Sequence, residues 1–193
     1  MKANHVVIKK ITNLSNDCYK LDKINFDLKQ KNGEWINQNR EVYDRGDGAA
    51  ILLFNKVKQT LVLTKQFRLP SFVNGNEDGM MIEVCAGLLE KDDPLTCIVK
   101  EAEEETGYLI SNPKKVFEIY STPGAVSEKI HYFIAEYSAE MKVSEGGGLA
   151  HETEDIEVLE LPIKQAYKMV LDGKLKDAKT IILIQHLLLE IEF

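Results

Sequence analysis

Clustered glutamates near the end of one predicted helix are the residues of this chain best suited to chemistry. The apolar spacing of Pro94 to Thr106 predicts a helix, and Glu101, Glu104 and Glu105 fall at i, i+3 and i+4 within it, so they share one surface. Like charges at that spacing are destabilising, and the helix dipole disfavours them at the carboxyl end. A hard divalent cation would compensate for the repulsion. A solvated acidic face is the commoner meaning of such a run.

Local signals define the helix that must position these glutamates. Asp92 or Asp93 can cap its first turn, and Pro94 suits its first position, where a backbone N–H has no partner. Gly107 suits the left-handed residue that ends it. A strand from Met80 to Cys85 is predicted to lead into the segment.

The segment from Gly87 to Tyr108 resembles the signature of the Nudix hydrolase family, with its leading glycine, spaced acid, glutamate-rich helix and closing glycine. The chain departs from that pattern in three ways. The first loop is one residue short, Asp92 stands where the family has Glu, and Lys100 stands where it has Arg. Because the core acids are retained, the resemblance implies a divalent metal site for Mg²⁺, or Mn²⁺.

The resemblance implies hydrolysis of the pyrophosphate in a nucleoside diphosphate linked to another group, with divalent ions activating the attacking water. It makes Glu101 and Glu105 the leading catalytic metal ligands. Glu104 and the backbone carbonyl of Ala86 would join them. All of these ligands are oxygens, as Mg²⁺ and Mn²⁺ prefer.

A further acid from a late loop often completes such a site. In this chain the candidates are Glu152 and Glu154, and Glu154 is preferred because it directly precedes the strand beginning at Asp155. It would act as a general base or as an additional metal ligand. An ordinary acidic loop is the alternative.

Other segments narrow the resemblance to a branch of the family. Pro123, beyond the signature, and the N-terminal strands favour the ADP-ribose pyrophosphatase-like branch, whose substrates are nucleoside diphosphate sugars. Finer similarity to the GDP-mannose pyrophosphatases lies in REVYDRG, KQFR, VNGNEDG, CAGLLEKDDP, GGGLAHETEDIEVLELP and LKDAKT.

These matches imply a set of substrate-binding residues, for each of which a surface position is the alternative. Arg40 and Arg68 would contact the phosphates, since guanidinium forks match phosphate oxygens. Asn39 and Glu41 would bind the base or sugar across a dimer, Glu128 the sugar hydroxyls, and Lys179 would face the substrate. The full set is Asn39, Arg40, Glu41, Arg68, Ala86, Gly87, Leu88, Glu128 and Lys179.

Composition excludes several classes of protein. A net charge of −7 over 193 residues argues against nucleic-acid binding through a basic surface. No apolar run has membrane-spanning length, the start lacks a signal peptide, and three cysteines without a CxxC pair suggest neither disulfides nor zinc. We expect a cytoplasmic protein without membrane partners.

The order of predicted elements gives an α/β (α+β) fold in two parts. Residues 1–43 carry strands with a hairpin signal at Asn32-Gly33, and residues 44–193 form the main domain. A small sheet buries little by itself, and the resemblance implies that it builds a homodimer. For the main domain, the resemblance implies the Nudix α/β/α sandwich.

The sequence therefore predicts an Mg²⁺-dependent hydrolase that converts GDP-mannose to GMP and mannose 1-phosphate. ADP-ribose hydrolysis to AMP and ribose 5-phosphate is the first alternative. A nucleotide-sugar sensor without hydrolytic activity is an alternative of another class, against which the intact glutamates speak.

Overall fold

The computed structural model describes residues 4–149 and 153–190. Its elements follow in the order β1 (Val6–Asn16), β2 (Lys20–Lys29), β3 (Trp35–Asp44), β4 (Gly48–Asn55), β5 (Thr60–Phe67), α1 (Leu69–Val73), β6 (Met80–Glu83), β7 (Cys85–Leu88), α2 (Pro94–Thr106), β8 (Lys114–Tyr120), β9 (Lys129–Glu136), a 3-10 helix (Ala139–Met141), β10 (Glu157–Pro162), α3 (Ile163–Leu171) and α4 (Ala178–Glu190). The chain divides into two compact units. One unit combines the residues up to Asp47 with Tyr120–Lys129, and the other contains Gly48–Ile119 and the chain from Ile130 onward.

The first unit is built on an antiparallel sheet in the order β1-β2-β3. The hairpin predicted at Asn32-Gly33 is present, with a loop that runs from Gln30 to Glu34. The Gln30 amide donates to the Glu34 carbonyl at 2.7 Å, and Gly33 has a φ of +91°, which a glycine adopts without steric cost.

Apolar side chains of this sheet remain exposed. Val7, Ile8, Ile11, Leu14, Trp35 and Ile36 are each 44–58% accessible. Because successive side chains of a strand point to opposite faces, and the register pairs Ile8 with Phe26, Ile11 with Ile24 and Ile36 with Leu28, the exposed Ile8, Ile11 and Ile36 lie on one face of the sheet.

The second unit is a sheet with helices on both faces. The strand order is β10-β5-β4-β9-β8, with β6 paired to β5 and β7 paired to β4, and β4 and β9 run parallel. Alternate residues of the fully buried β4 point to opposite faces. Ile51 packs in the cluster that includes α2, and Leu52 packs in the cluster that includes α3 and α4. This arrangement confirms the α/β/α sandwich.

The predicted strand Met80 to Cys85 is two strands, β6 and β7, because they pair with different neighbours. The chain changes partner at Val84, whose amide donates a 2.8 Å hydrogen bond to Thr180 Oγ1 in α4. The short helix α1 ends at Val73, and a polar loop connects it to β6. Among the described residues, no helix is long and apolar enough to cross a membrane.

Candidate active site

The helix α2 that carries the glutamates is fixed at both ends. Asp93, rather than Asp92, is its cap: the carboxylate accepts hydrogen bonds from the amides of Leu95 (3.0 Å) and Thr96 (3.2 Å). Gly107 ends the helix with a φ of +79°, in the left-handed conformation. These caps fix which residues of α2 face the sheet.

Glu101 and Glu105, one helical turn apart, lie against β7. Glu105 is only 2% exposed, and its Oε2 accepts a hydrogen bond from the Ala86 amide at 3.3 Å. The carboxylate of Glu101 lies against Gly87, where a β-carbon would overlap it. The structure therefore brings both glutamates together with Ala86 and Gly87.

Burial raises the pKa of Glu105 to about 8. A hydrogen bond from Cys85 and the charge of Arg68 act in the opposite direction, while the charges of Glu101 and Glu154 raise the pKa further. Cys85, which its sequence context marks only as a small buried residue, thus contacts a predicted catalytic carboxylate. The hydrogen bond from Cys85 and the charge of Arg68 do not offset the cost of burying the ionised form of Glu105. A cation bound at this position would stabilise that ionised form.

Glu104 has a different environment. Its carboxylate is half-buried and lies 3.7 Å from the Lys100 ammonium on the same helix. Within residues 4–149 and 153–190, no three acidic, thiol or imidazole side chains are gathered closely enough to form a metal site by themselves. The described structure thus groups Glu101 and Glu105 with the backbone of β7 and pairs Glu104 with Lys100.

The glycine-rich loop binds the end of α2 and places Glu154. The amides of Gly147 and Gly148 donate to the carbonyls of Glu105 (2.9 Å) and Glu104 (3.0 Å), which a helix end leaves without intrahelical partners. The Leu149 amide donates to Glu154 Oε2 at 3.0 Å. Glu154 is close enough for its charge to act on the pKa of Glu105. The alternative acid, Glu152, lies outside the described residues.

Arg68 is held by a carboxylate that sequence reasoning missed. Its Nε and Nη2 donate to Glu83 Oε2 at 3.0 and 2.6 Å, and the Glu83 side chain is only 6% exposed. Burial would lower the pKa of Arg68, but Glu83, with smaller effects from Glu105 and Asp177, raises it. One charged residue within the apolar strand MMIEVCA was the only available signal for Glu83.

Lys179 lies at the start of α4, where its ammonium is 2.7 Å from Asp177 Oδ1. Leu88 is the last residue of β7 and directly follows Gly87, against which the Glu101 carboxylate lies. The sequence predicted Lys179 and Leu88 as substrate contacts, but gave no indication of Asp177 as a partner.

The remaining predicted substrate residues belong to the first unit. Asn39, Arg40 and Glu41 are exposed on β3, and Arg40 Nη1 donates to the Asn39 carbonyl at 2.8 Å. Glu128 is nearly buried: its carboxylate accepts a 2.8 Å hydrogen bond from Ser121 Oγ and lies 3.5 Å from Arg45 Nε. Arg45 was not among the predicted residues.

Comparison with known proteins gives two family matches and many similar relatives. Residues 5–43 match the family described as the GDP-mannose pyrophosphatase NudK N-terminal domain, and residues 44–182 match the NUDIX domain. The chain is 54% identical over 181 residues to the GDP-mannose pyrophosphatase of Pectobacterium atrosepticum, covering 94% of this chain and 92% of that relative. It is 53% identical over 188 residues to the GDP-mannose pyrophosphatase of Salmonella arizonae, covering 97% and 96%.

The family matches cover both units, and the Nudix match includes the helix α2, the strand β7 and the glycine-rich loop described above. The resemblance first noted in the segment from Gly87 to Tyr108 is therefore confirmed. The chain belongs to the Nudix family.

Proposed function

We propose that this protein hydrolyses GDP-mannose to GMP and mannose 1-phosphate with the help of Mg²⁺, or Mn²⁺. The observation that carries the proposal is the packing of Glu101 and the buried Glu105 against Ala86 and Gly87. The substrate is suggested by similarity, over nearly the whole chain, to relatives named GDP-mannose pyrophosphatase.

The oxygen donors at β7 fit a divalent metal. Glu105 is buried, and the charges of Glu101 and Glu154 further disfavour its ionised form. A bound cation would offset that cost. Glu101, Glu105 and the Ala86 carbonyl would hold the ion, with Glu104 and Glu154 as further ligands. When bound, Mg²⁺ would supply Lewis-acid polarisation and lower the pKa of water.

The chain's own residues would organise the displacement. Water attacks one of the two phosphorus atoms, and the bond from that phosphorus to the bridging oxygen breaks, so that each product keeps one phosphate. Glu154, held by the Leu149 amide, would accept the water's proton. Arg68 and Lys179 would balance the negative charge of the phosphates.

Two further parts of the proposal concern the assembly. We place the boundary between an N-terminal dimerisation part and the Nudix domain after residue 43, supported by the family matches to 5–43 and 44–182. We also place the face of the first sheet that carries the exposed Ile8, Ile11 and Ile36 in a homodimer interface. Asn39, Arg40, Glu41 and Glu128 would then bind the nucleotide or sugar.

Sedimentation tests the dimer. Ile11→Lys should convert a dimer to a monomer, because a charge buried in an apolar interface is costly. Val57→Lys, at a 93% exposed position of the second unit, is the control. A wild-type monomer would overturn this part.

We also propose a cytoplasmic location, because the three free thiols, of which Cys18 is exposed, fit a reducing compartment.

A substrate panel tests the function. GDP-mannose, ADP-ribose and GDP-glucose would each be incubated with Mg²⁺, with or without EDTA, and the products separated. EDTA-sensitive GMP and mannose 1-phosphate, with GDP-mannose preferred by kcat/KM, are expected. Preference for ADP-ribose would replace the substrate. Binding without turnover would favour a sensor.

A further inference from the structure

Asp177, just before α4, uses its two carboxylate oxygens for different partners. Oδ1 lies 2.7 Å from the Lys179 ammonium. Oδ2 accepts hydrogen bonds from the Thr180 amide (2.9 Å) and from Thr180 Oγ1 (2.7 Å). One residue thus begins the helix and pairs with a lysine that the proposed function places at the substrate.

The second partner connects this carboxylate to the other predicted phosphate-binding cation. Thr180 is fully buried, and its Oγ1 accepts the hydrogen bond from the Val84 amide while donating to Asp177. Val84 follows Glu83, which holds Arg68. The charge of Asp177 also contributes to the raised pKa of Arg68, so the two cations share one environment.

The pair of Lys179 and Asp177 is mostly removed from solvent. The side chains of Lys179 and Asp177 are 19% and 10% exposed. Burial would raise the pKa of Asp177, but the charge and hydrogen bonds of Lys179, with the bonds from Thr180, hold it below its usual value. The pair of Lys179 and Asp177 is therefore buried, ionised and held by several hydrogen bonds. The pair of Lys168 and Asp172, by contrast, is exposed, with side chains that are 72% and 38% accessible.

We propose that Asp177 is a positioning residue that holds the Lys179 ammonium in place for a substrate phosphate. A lysine side chain is flexible and loses rotamer entropy when it binds, so a partner that already orders it lowers the cost of binding. The inference rests on the proposed function, which places Lys179 at the substrate. The simpler alternative is that Asp177 only caps α4.

Asp177→Asn separates these two roles. Asparagine caps a helix about as well as aspartate, and its single oxygen can still accept from Thr180. It removes the charge that holds Lys179, and the ammonium, left beside an amide, would turn toward solvent. We expect kcat/KM to fall about 10-fold or more, mainly through KM, because the phosphate is charged in the ground state too. Breaking the buried pair should also lower the melting temperature, as in Glu83→Gln, so the kinetic comparison decides between the two roles.

A double-mutant cycle with Lys179→Met gives the decisive comparison. Lys179→Met alone should lower kcat/KM at least as much as Asp177→Asn, and Asp177→Asn should have no further effect in the Lys179→Met background. Equal losses in both backgrounds would overturn the inference in favour of a capping role. Asp172→Asn, the matched control, breaks the exposed pair with Lys168 and should change neither activity nor stability.

Two further outcomes keep this inference separate from the proposed function. The cycle uses whichever nucleoside diphosphate sugar the wild-type protein hydrolyses fastest, so a different best substrate changes the proposed function and leaves the test intact. Full activity of Lys179→Met would overturn the inference while hydrolysis of GDP-mannose stands. Asp177→Ser, a second substitution that retains a cap, should reproduce the effect of Asp177→Asn.

Discussion

The carboxylate of Glu101 lies against the backbone of Gly87, in the space that a β-carbon at position 87 would occupy. The three nearest atoms all belong to the flexible side chain of Glu101, so a larger residue would displace this side chain rather than the backbone. The glycine of the family signature therefore leaves the space that the side chain of a predicted metal ligand, Glu101, occupies.

Gly87→Ala should therefore lower activity with little loss of stability. Displacing a ligand or its support typically costs about 10- to 100-fold in metal affinity or activity, and we expect a fall of this size in kcat/KM. The measurements are kinetics over a range of Mg²⁺ concentrations and thermal unfolding. Gly124→Ala, where a β-carbon meets nothing within 4 Å, is the matched control and should behave as wild type. Wild-type Mg²⁺ dependence in Gly87→Ala would contradict the assignment.

The raised pKa of Glu105 predicts how stability without metal depends on pH. The folded protein binds this proton up to a pKa of about 8, whereas an ordinary glutamate releases it near 4.5. The native state therefore binds more protons than the unfolded state between these values, and the contribution of Glu105 to the free energy of unfolding falls as pH rises through this window. Above pH 8 the full cost of the buried charge remains.

Glu105→Gln should remove that cost and abolish hydrolysis. In EDTA, the melting temperature of Glu105→Gln relative to wild type should increase from pH 5 to pH 9. Mg²⁺ should stabilise the wild type more at pH 9 than at pH 6, because the ion binds the carboxylate form. A difference that does not vary with pH, or retained turnover, would refute the role given to Glu105.

Sequence reasoning predicted the parts of the site that local signals specify. The closing glycine of α2, a cap at Asp92 or Asp93, and the spacing of Glu101 and Glu105 follow from propensities and periodicities within one element. The family resemblance added Ala86, Arg68 and Lys179, which have no local signal for chemistry.

The partners of these residues could not be predicted, because they depend on contacts between elements distant in sequence. Glu83 meets Arg68 only because β6 pairs with β5. The break at Val84 depends on β7 pairing with β4 and on the hydrogen bond that the Val84 amide donates to Thr180, 96 positions away in sequence. Such contacts follow from tertiary packing, which a single sequence does not display.

Glu83→Gln tests whether the buried carboxylate prepares Arg68 for the substrate. Hydrogen bonds to charged groups contribute about 1.5–3 kcal/mol, so losing the ionic pair should raise KM roughly 10-fold or more and also lower stability. Steady-state kinetics and thermal unfolding measure both effects. Glu136→Gln, at an exposed carboxylate 3.8 Å from the Lys56 ammonium, is the control and should change neither. An unchanged KM would mean that Arg68 does not need Glu83.

Gly148 and Gly173 share a backbone conformation and differ in their neighbours, which allows the role of Glu154 to be separated from backbone strain. Gly148 has a φ of +78°, and a β-carbon there would collide with Glu154. Gly173 has a φ of +69° and would meet nothing within 4 Å. Alanine at either position should cost about 1–2 kcal/mol of stability from the left-handed conformation.

Only Gly148→Ala should also lose activity, because it displaces the carboxylate held by the Leu149 amide. We expect its kcat to fall toward that of Glu154→Gln, and Gly173→Ala to retain wild-type kcat at a temperature where all variants are folded. Equal activity in the two alanine variants would show that Glu154 is not required, and the acid of this loop would then have to be sought at Glu152.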